Sequence, residues 1–295
     1  MVEKCVMALG FFDGVHIGHG ALLNKTVEIA RDMGVSKQVL TFDVCPKSLA
    51  NSKLITPLKL RCEMLMDLYG MDKVRVLKFD NDLMRMSYVD FVKEIIVEKF
   101  NACHVVCGYD FRFGYRGEGD STKLIKECEK YNVGCTVVDK VTVDGERVSS
   151  TLIKQLVESG DIQKARKLMG HGYSVSGTVV YGKQVGRTIG IPTANLALET
   201  EQIYPPRGVY ATRTTVMDKT YISMTNIGTR PTVSDKDTVN AETYIFDFNE
   251  NIYGKEIKVE FFEKIRDEKK FKDIEELRQQ LEKDKESTAK YFKSV

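Results

Sequence analysis

Along the first 170 residues, short apolar runs alternate with segments whose apolar residues recur at helical spacing. KCVMALGFF reads as a strand, ALLNKTVEIARDMG as a helix that stops at Gly34, and QVLTFD as the next strand. Residues 4–43 therefore predict one βαβ unit. LKLRCEMLMDLYG, SYVDFVKEIIVEKF and TKLIKECEKYNVG continue as helices, while KVRVLKF, CHVVCG and CTVVDK continue as strands. That rhythm predicts a parallel sheet with helices on both faces. SSTLIKQLVESG and DIQKARKLMG then read as two short helical turns forming a joint. From Tyr173 to about Ile265 the pattern shortens to strands separated by Gly, Pro, Asn and Asp: YSVSGTVVYG, GVYATRTTV, YISMTNIG, NAETYIFDF and IKVEFFEKI. This is the signature of an antiparallel barrel or sandwich. A last helix from about Asp273 carries Ile274, Leu277 and Leu281 on one face, which predicts packing on the barrel. The expected organisation is an α/β domain over residues 1–170 and a small antiparallel β domain with a C-terminal helix over residues 171–295.

Composition narrows the class without changing that picture. The 295 residues are 42% hydrophobic and 29% charged, which excludes a disordered chain. A net charge of +2 provides no basic field for nucleic acid. No apolar run reaches the ~18 residues of a membrane span, and MVEKCVMALGFF enters a strand pattern without a signal-peptide cleavage site. A cytoplasmic protein is expected. The seven cysteines all precede residue 136 and contain no CxxC pair. Cys103 and Cys107, in CHVVC, would share a strand face about 13 Å apart, too far to bind one zinc. Buried free thiols are the expectation.

Three stretches carry candidate chemistry. GFFDGVHIGHGALL, residues 10–23, holds two of the four histidines. Strand one should end at about Phe12 and the helix begin near Gly20, which makes this the first β–α turn, at the carboxyl edge of the sheet where open α/β sheets bind ligands. Gly14, Gly18 and Gly20 would let the backbone approach phosphate oxygens, and His16 and His19 can donate hydrogen bonds to an oxyanion. The bland alternative is a glycine-rich turn with incidental histidines. In RVSSTLIK, Ser149, Ser150 and Thr151 precede an apolar helical run, flanked by Arg147 and Lys154, and form either an anion site or a plain helix cap. GYDFRFGYRGEGD leaves Phe111, Phe113 and Tyr115 open between stacking on a ligand ring and packing in the core. Finally, GTVVYGKQVGRTIGIPTANL, residues 177–196, is one residue short of a P-loop and has Arg187 where a P-loop has lysine. Gly182, Gly186 and Gly190 make either a loop able to cover a nucleotide or an ordinary hairpin loop. Thr193 and Asn195 offer hard oxygen ligands suited to Mg²⁺.

Together these motifs resemble a known family. HIGH after a first strand, inside GFFDGVHIGH, resembles the motif of the nucleotidyltransferase superfamily, and the FDGVHxGH form resembles the FMN adenylyltransferase branch found in bacterial bifunctional riboflavin kinase/FAD synthetases. LTFD, GYDFRFGYRGEGD and RVSSTLIKQLVESGDIQKA extend the likeness through the first domain. GTVVYGKQVGRTIGIPTANL, PPRGVYA, TNIGTRPT and AETYIFDFNENIYG resemble the riboflavin kinase half, in order. The resemblance implies a Rossmann-like HxGH nucleotidyltransferase domain followed by a small antiparallel riboflavin kinase β-barrel. It implies that riboflavin is phosphorylated to FMN and FMN adenylylated to FAD, with ATP as co-substrate and Mg²⁺ as cofactor. His16 and His19 would bind ATP phosphates, Asp110 would lie in the nucleotide pocket, and Arg147, Ser150, Thr151 and Lys154 would form a second phosphate-binding segment. Thr193 and Asn195 would hold Mg-ATP, Glu242 would be the general base, and Arg266 would lie near the flavin. For Glu242 the alternative is a solvent-facing strand residue; a lone carboxylate desolvated among apolar neighbours would suit proton acceptance. Two departures touch the first domain: the family's TFxPHP is TFDVCP here, placing Cys45 where a histidine is usual, and SSTxIR ends in Lys154 rather than arginine. They leave a kinase with an impaired adenylyltransferase as the alternative, with a non-catalytic flavin-binding regulator as the third possibility.

Overall fold

The computed structural model describes residues 3–45, 53–182, 186, 190–230 and 238–294. Arg187, and Pro231 and Thr232 of the TNIGTRPT stretch, lie outside the described residues. The chain divides into two compact units, Met1–Ser52 with Thr56–Ser150, and Lys53–Ile55 with Thr151–Val295.

The first unit runs β1 (Cys5–Leu9), α1 (Ile17–Met33), β2 (Ser36–Phe42), α2 (Leu58–Tyr69), β3 (Lys73–Leu77), α3 (Asn81–Arg85) and α4 (Tyr88–Asp90), the last continuing as π-helical turns over Phe91–Lys99. Then come β4 (Ala102–Gly108), α5 (Ser121–Glu129), β5 (Gly134–Val138) and the short hairpin β6 (Thr142–Val143) and β7 (Glu146–Arg147). The five-stranded parallel sheet has the order β3-β2-β1-β4-β5. β1 is buried along its whole length because it is central and covered on both faces, which is why CVMAL is continuously apolar. Cys5, Met7 and Leu9 join one core cluster, while Val6 and Ala8 join the cluster on the opposite face. Strand order reverses beside β1, so the β1–α1 turn sits at the sheet's switch point.

The second unit opens with α6 (Ser150–Ser159), whose Ser150 is counted with the first, and α7 (Ile162–Met169). These are complete helices rather than loose turns. α7 is capped by Asp161, buries Ile162, Ala165, Leu168 and Met169, and ends at left-handed Gly170; it packs on the β strands that follow it. The strands are β8 (Tyr173–Val180), β9 (Ala194–Leu198), β10 (Gly208–Val216), β11 (Lys219–Arg230), β12 (Thr238–Ile245) and β13 (Glu256–Asp267), followed by α8 (Ile274–Ser294). They close into a barrel of order β10-β11-β12-β9-β8-β13, deciding between barrel and sandwich. The sequence pattern missed β9, because IGIPTANL reads as loop; the strand begins only after Pro192, which lacks an amide hydrogen to give a ladder. Inside the barrel Thr212, Thr214, Ser223, Thr225 and Thr243 are fully buried and bonded to one another at 2.8–2.9 Å. A polar interior is tolerated because each hydroxyl both donates and accepts. α8 packs against β10, β11 and β13, as its pattern predicts. Leu281 joins the Ile191, Val209 and Met224 cluster, whereas Ile274, the first helical residue, is exposed.

All seven cysteines are free, and Cys5, Cys107 and Cys128 are buried; Cys45, Cys62, Cys103 and Cys135 are only partly so, a correction to the expectation of uniform burial. Burial pushes the Cys5 thiol up to about 12, leaving it inert. Among the described residues no group of three or more His, Cys, Asp or Glu side chains is placed to hold a metal ion.

Candidate functional site

In the first unit, the helix starts earlier than its pattern suggests, at Ile17, and His16 is its N-cap. His16 Nδ1 accepts the backbone N–H of His19 at 3.2 Å. That nitrogen is therefore unprotonated, so the neutral ring carries its hydrogen on Nε2. The His19 ring stacks on that of His16 with centroids 3.6 Å apart and planes at 12°. Burial above all, then the neighbouring His16 and the Arg61 guanidinium, hold His19 well below its ordinary value of 6.5. The pair thus presents neutral imidazoles at the positive end of a 17-residue helix.

The glycines of this turn also have local packing roles. Gly14, at φ 80°, donates its N–H to Thr56 Oγ1 at 2.9 Å. A Cβ on Gly18 would lie 3.1 Å from the His16 ring, and one on Gly20 would lie 2.4 Å from the Tyr69 hydroxyl. They make room for a stacked imidazole and for α2. Phe12 and Val15 adopt positive φ (60° and 38°) while wholly or almost wholly buried, so the turn holds backbone strain of the kind found at functional sites. It is latched by Asp13, whose Oδ1 accepts from the Thr56 amide at 3.0 Å and whose carbonyl accepts from the Ser150 hydroxyl at 2.8 Å. Ser150 thereby joins the turn, a link that its place at the start of a helix did not reveal.

Three residues that sequence reasoning passed over belong here: Asp13, Thr56 and Arg61. Arg61 is fully buried, donates Nη2 to the Phe42 carbonyl at 2.7 Å and lies 4.1 Å from the Phe11 ring centroid. Its sequence signal was a basic residue on the apolar face of α2, beside Leu60, Met64 and Leu65. Arg147 and Asp110 pair with each other at 2.7 Å, about half exposed. Thr151 and Lys154 lie on α6, in the second unit. Phe111 and Phe113 stack at 5.4 Å against the core, which decides that ambiguity for packing, while Tyr115 is exposed.

In the second unit the site follows from strand register. Asn195 of β9 pairs with Glu242 of β12, Glu242 with Asn226 of β11, Asn226 with Val209 of β10, and Val209 with Arg266 of β13. Residues so paired project on one face. The alternate residues Tyr210, Thr225 and Thr243 form the barrel interior, so this row faces outward. There Thr193, Asn226, Glu242 and Arg266 line one cavity with apolar Ile191, Met224 and Leu277. The surroundings of Glu242 are more polar than its apolar strand suggests, because Asn240 donates Nδ2 to its Oε1 at 2.9 Å.

Asn195 is buried, and a Cβ on Gly182 would fall 2.3 Å from its Nδ2. Gly182 is thus a cradle for the Asn195 amide. Gly186 accepts the Ile191 N–H at 2.8 Å and lines the cavity; Gly190 turns at φ 77°. Arg266 reaches the cavity wall, but Asp284 on α8 engages Nε and Nη2 at 2.7–3.0 Å, and the Asp267 carbonyl takes Nη1. It thereby ties α8 to β13 beside the cavity that it lines. Asn226, Met224 and Leu277 were missed because their membership depends on register and on how α8 seats.

Comparisons with known proteins match a family model to each part of the chain. An FAD synthetase family model matches residues 1–152, and a riboflavin kinase family model matches residues 169–292. The chain is 37% identical to the bifunctional riboflavin kinase/FMN adenylyltransferase of Bacillus subtilis, over 99% of this chain and 94% of that one. It is 34% identical to the protein of that description from Escherichia coli K12, over 98% and 93%. A solved structure, described as a macrolide-efflux protein from Streptococcus pneumoniae, superposes with a TM-score of 0.86 at 31% identity, covering 97% of this chain and 94% of that one. No described helix of the present chain is long and apolar enough to cross a membrane.

Proposed function

As a member of the bifunctional riboflavin kinase/FMN adenylyltransferase family, the chain phosphorylates riboflavin to FMN and adenylylates FMN to FAD, and we propose that each reaction belongs to one unit and to the residues assembled there. The observation that carries this reading is the presence of two separate constellations: a stacked imidazole pair on a helix N-terminus in one unit, and an Asn195–Glu242–Asn226 row beside a cavity with apolar and charged walls in the other.

In the barrel unit, the cavity takes the flavin against Ile191, Met224 and Leu277. Glu242 accepts the proton of the terminal ribityl hydroxyl as its oxygen bonds to the γ-phosphorus of ATP, and the bond from that phosphorus to the ADP oxygen breaks. Thr193 and Asn195 fit a hard divalent cation, since their oxygens are hard ligands and Gly182 leaves space around the Asn195 amide. Mg²⁺, when bound, offsets negative charge on the ATP phosphates. In the α/β unit, a phosphate oxygen of FMN attacks the α-phosphorus of ATP and pyrophosphate leaves. His16 and His19 donate to phosphate oxygens there, and Ser150 holds the turn that carries them. Neither step needs a covalent enzyme intermediate, because positioning and fixed donors suffice.

The kinase-only alternative gains no support, since the FAD synthetase match spans residues 1–152. Supplying FMN, ATP and Mg²⁺ is the direct test: FAD and pyrophosphate should form, and their absence would leave a kinase alone. Gly182→Ala is expected to raise the Mg²⁺ concentration for half-maximal FMN formation roughly tenfold, because the new methyl displaces Asn195; a titration of rate against Mg²⁺ checks this. Free thiols in all seven cysteines support work in the reducing cytoplasm. A net charge of +2 fits small-molecule substrates rather than nucleic acid.

A further inference from the structure

We propose that Asn240 is a positioning residue for riboflavin phosphorylation: its side-chain amide grips one oxygen of Glu242 and so aims the other at the substrate hydroxyl. The inference rests on the reading of Glu242 as the proton acceptor. Asn240 and Glu242 stand two positions apart on β12, where successive alternate residues share a face. Their hydrogen bond is 2.9 Å long and part-buried. A carboxylate only accepts, so the amide must present its nitrogen, and the orientation of Asn240 is determined.

The surroundings explain why this contact can hold. Opposite Asn240 in the ladder is Gly228, which contributes no side chain to compete for the amide. Asn226 and Asn195 flank Glu242 across the neighbouring strands, and among the described residues no other hydrogen bond to its carboxylate is present. Oε1 is therefore committed while Oε2 is available. A glutamate has three side-chain torsions, and one charge-assisted bond restricts all of them together. Rate then depends on Asn240 through geometry, since small displacements of a reacting group carry large rate costs. The other charged groups lining the cavity are Arg266, Glu268 and Lys269. Arg266 is neutralised by Asp284, and Glu268 reaches the open space above Gly228, with Oε1 3.0 Å from where a Cβ would stand. The amide at position 240 thus supplies a donor to the carboxylate proposed to react.

Asn240→Leu keeps the volume and removes the donor. In the full-length chain, kcat for FMN formation should fall roughly 10- to 100-fold, the range of one charge-assisted hydrogen bond, with the KM values for riboflavin and ATP unchanged. Asn240→Gln, which restores an amide donor, should recover most of the rate. Combined with Glu242→Gln, Asn240→Leu should cause no further loss, because it acts through that carboxylate. An unchanged kcat, a loss confined to KM, or a full additional loss in the double variant would each overturn the proposal. The two readings fail differently: a wild-type kcat in Glu242→Gln removes the proton acceptor itself, whereas an inactive Glu242→Gln beside a fully active Asn240→Leu removes only the positioning role.

Discussion

Glu242→Gln should lower FMN formation from riboflavin by roughly 10²- to 10⁴-fold, the contribution of a positioned proton acceptor, while FAD formation from supplied FMN continues at the wild-type rate. Glutamine keeps the length and shape of the side chain and can still hydrogen-bond to Asn240 through its carbonyl oxygen, so the cavity and the Asn195–Glu242–Asn226 row persist. What disappears is the basic oxygen. Because binding groups are retained, the loss belongs in kcat, and KM for both substrates should barely move. A steady-state assay run separately with riboflavin and with FMN distinguishes the outcomes. If FMN accumulates at the normal rate, the ribityl hydroxyl loses its proton elsewhere. If both reactions stop, the two activities share machinery that the two compact units do not suggest.

The second large effect concerns the imidazole pair. His19→Ala should cut FAD formation roughly 10²- to 10³-fold, as removal of a preorganised donor to developing negative charge does, and leave riboflavin phosphorylation intact. His16 needs a subtler substitution, since it also caps α1 through its Nδ1. His16→Asn keeps a capping acceptor, with a stability change well below the ~1 kcal/mol of a lost cap, but removes the Nε2–H donor. Adenylylation should therefore fall in a variant that melts normally; full activity in His16→Asn would make this histidine a cap and nothing more. His19 also ties stability to pH. The folded chain holds its imidazole below the ordinary 6.5, mainly by burial. Below that value the unfolded chain takes up a proton that the folded chain refuses, so this residue's contribution is intact at neutral pH and lost on acidification. His19→Gln should flatten that part of the stability curve.

Individual residues show how legible the site was. His16 and His19 stood out because both lie within one turn of chain, at a strand-to-helix junction whose place on the sheet edge follows from alternation alone. Ser150 was legible as a capping residue, but not as the donor that latches Asp13. Arg147 and Asp110 each looked like a phosphate or nucleotide contact, and only the fold shows that they bond to each other. In the barrel unit, Glu242 and Asn195 were given roles by motif, whereas Asn226 lay in the TNIGTRPT stretch with no role and Asn240 lay just outside AETYIFDFNENIYG. Their significance lies in which strand runs beside which, and in what register.

Read by itself, the chain determined two fold types in order, the turn that bears the histidines and the loop before the Thr193–Asn195 pair. Those features are local: a period of 3.6 or 2, a helix cap or a run of glycines is written in adjacent residues. Tertiary structure decided which face of each barrel strand is inside. GVYATRTTV alternates Val209, Ala211 and Arg213 with Tyr210, Thr212 and Thr214, and either set can satisfy a two-residue period. Closure chose the hydroxyl set, because Ser223, Thr225 and Thr243 supply its hydrogen-bond partners from other strands. Tertiary structure likewise paired Arg266 with Asp284 and bonded Gly14 to Thr56. Such partners are far apart in sequence, and a polar group becomes tolerable in a core only when the fold brings it a complement.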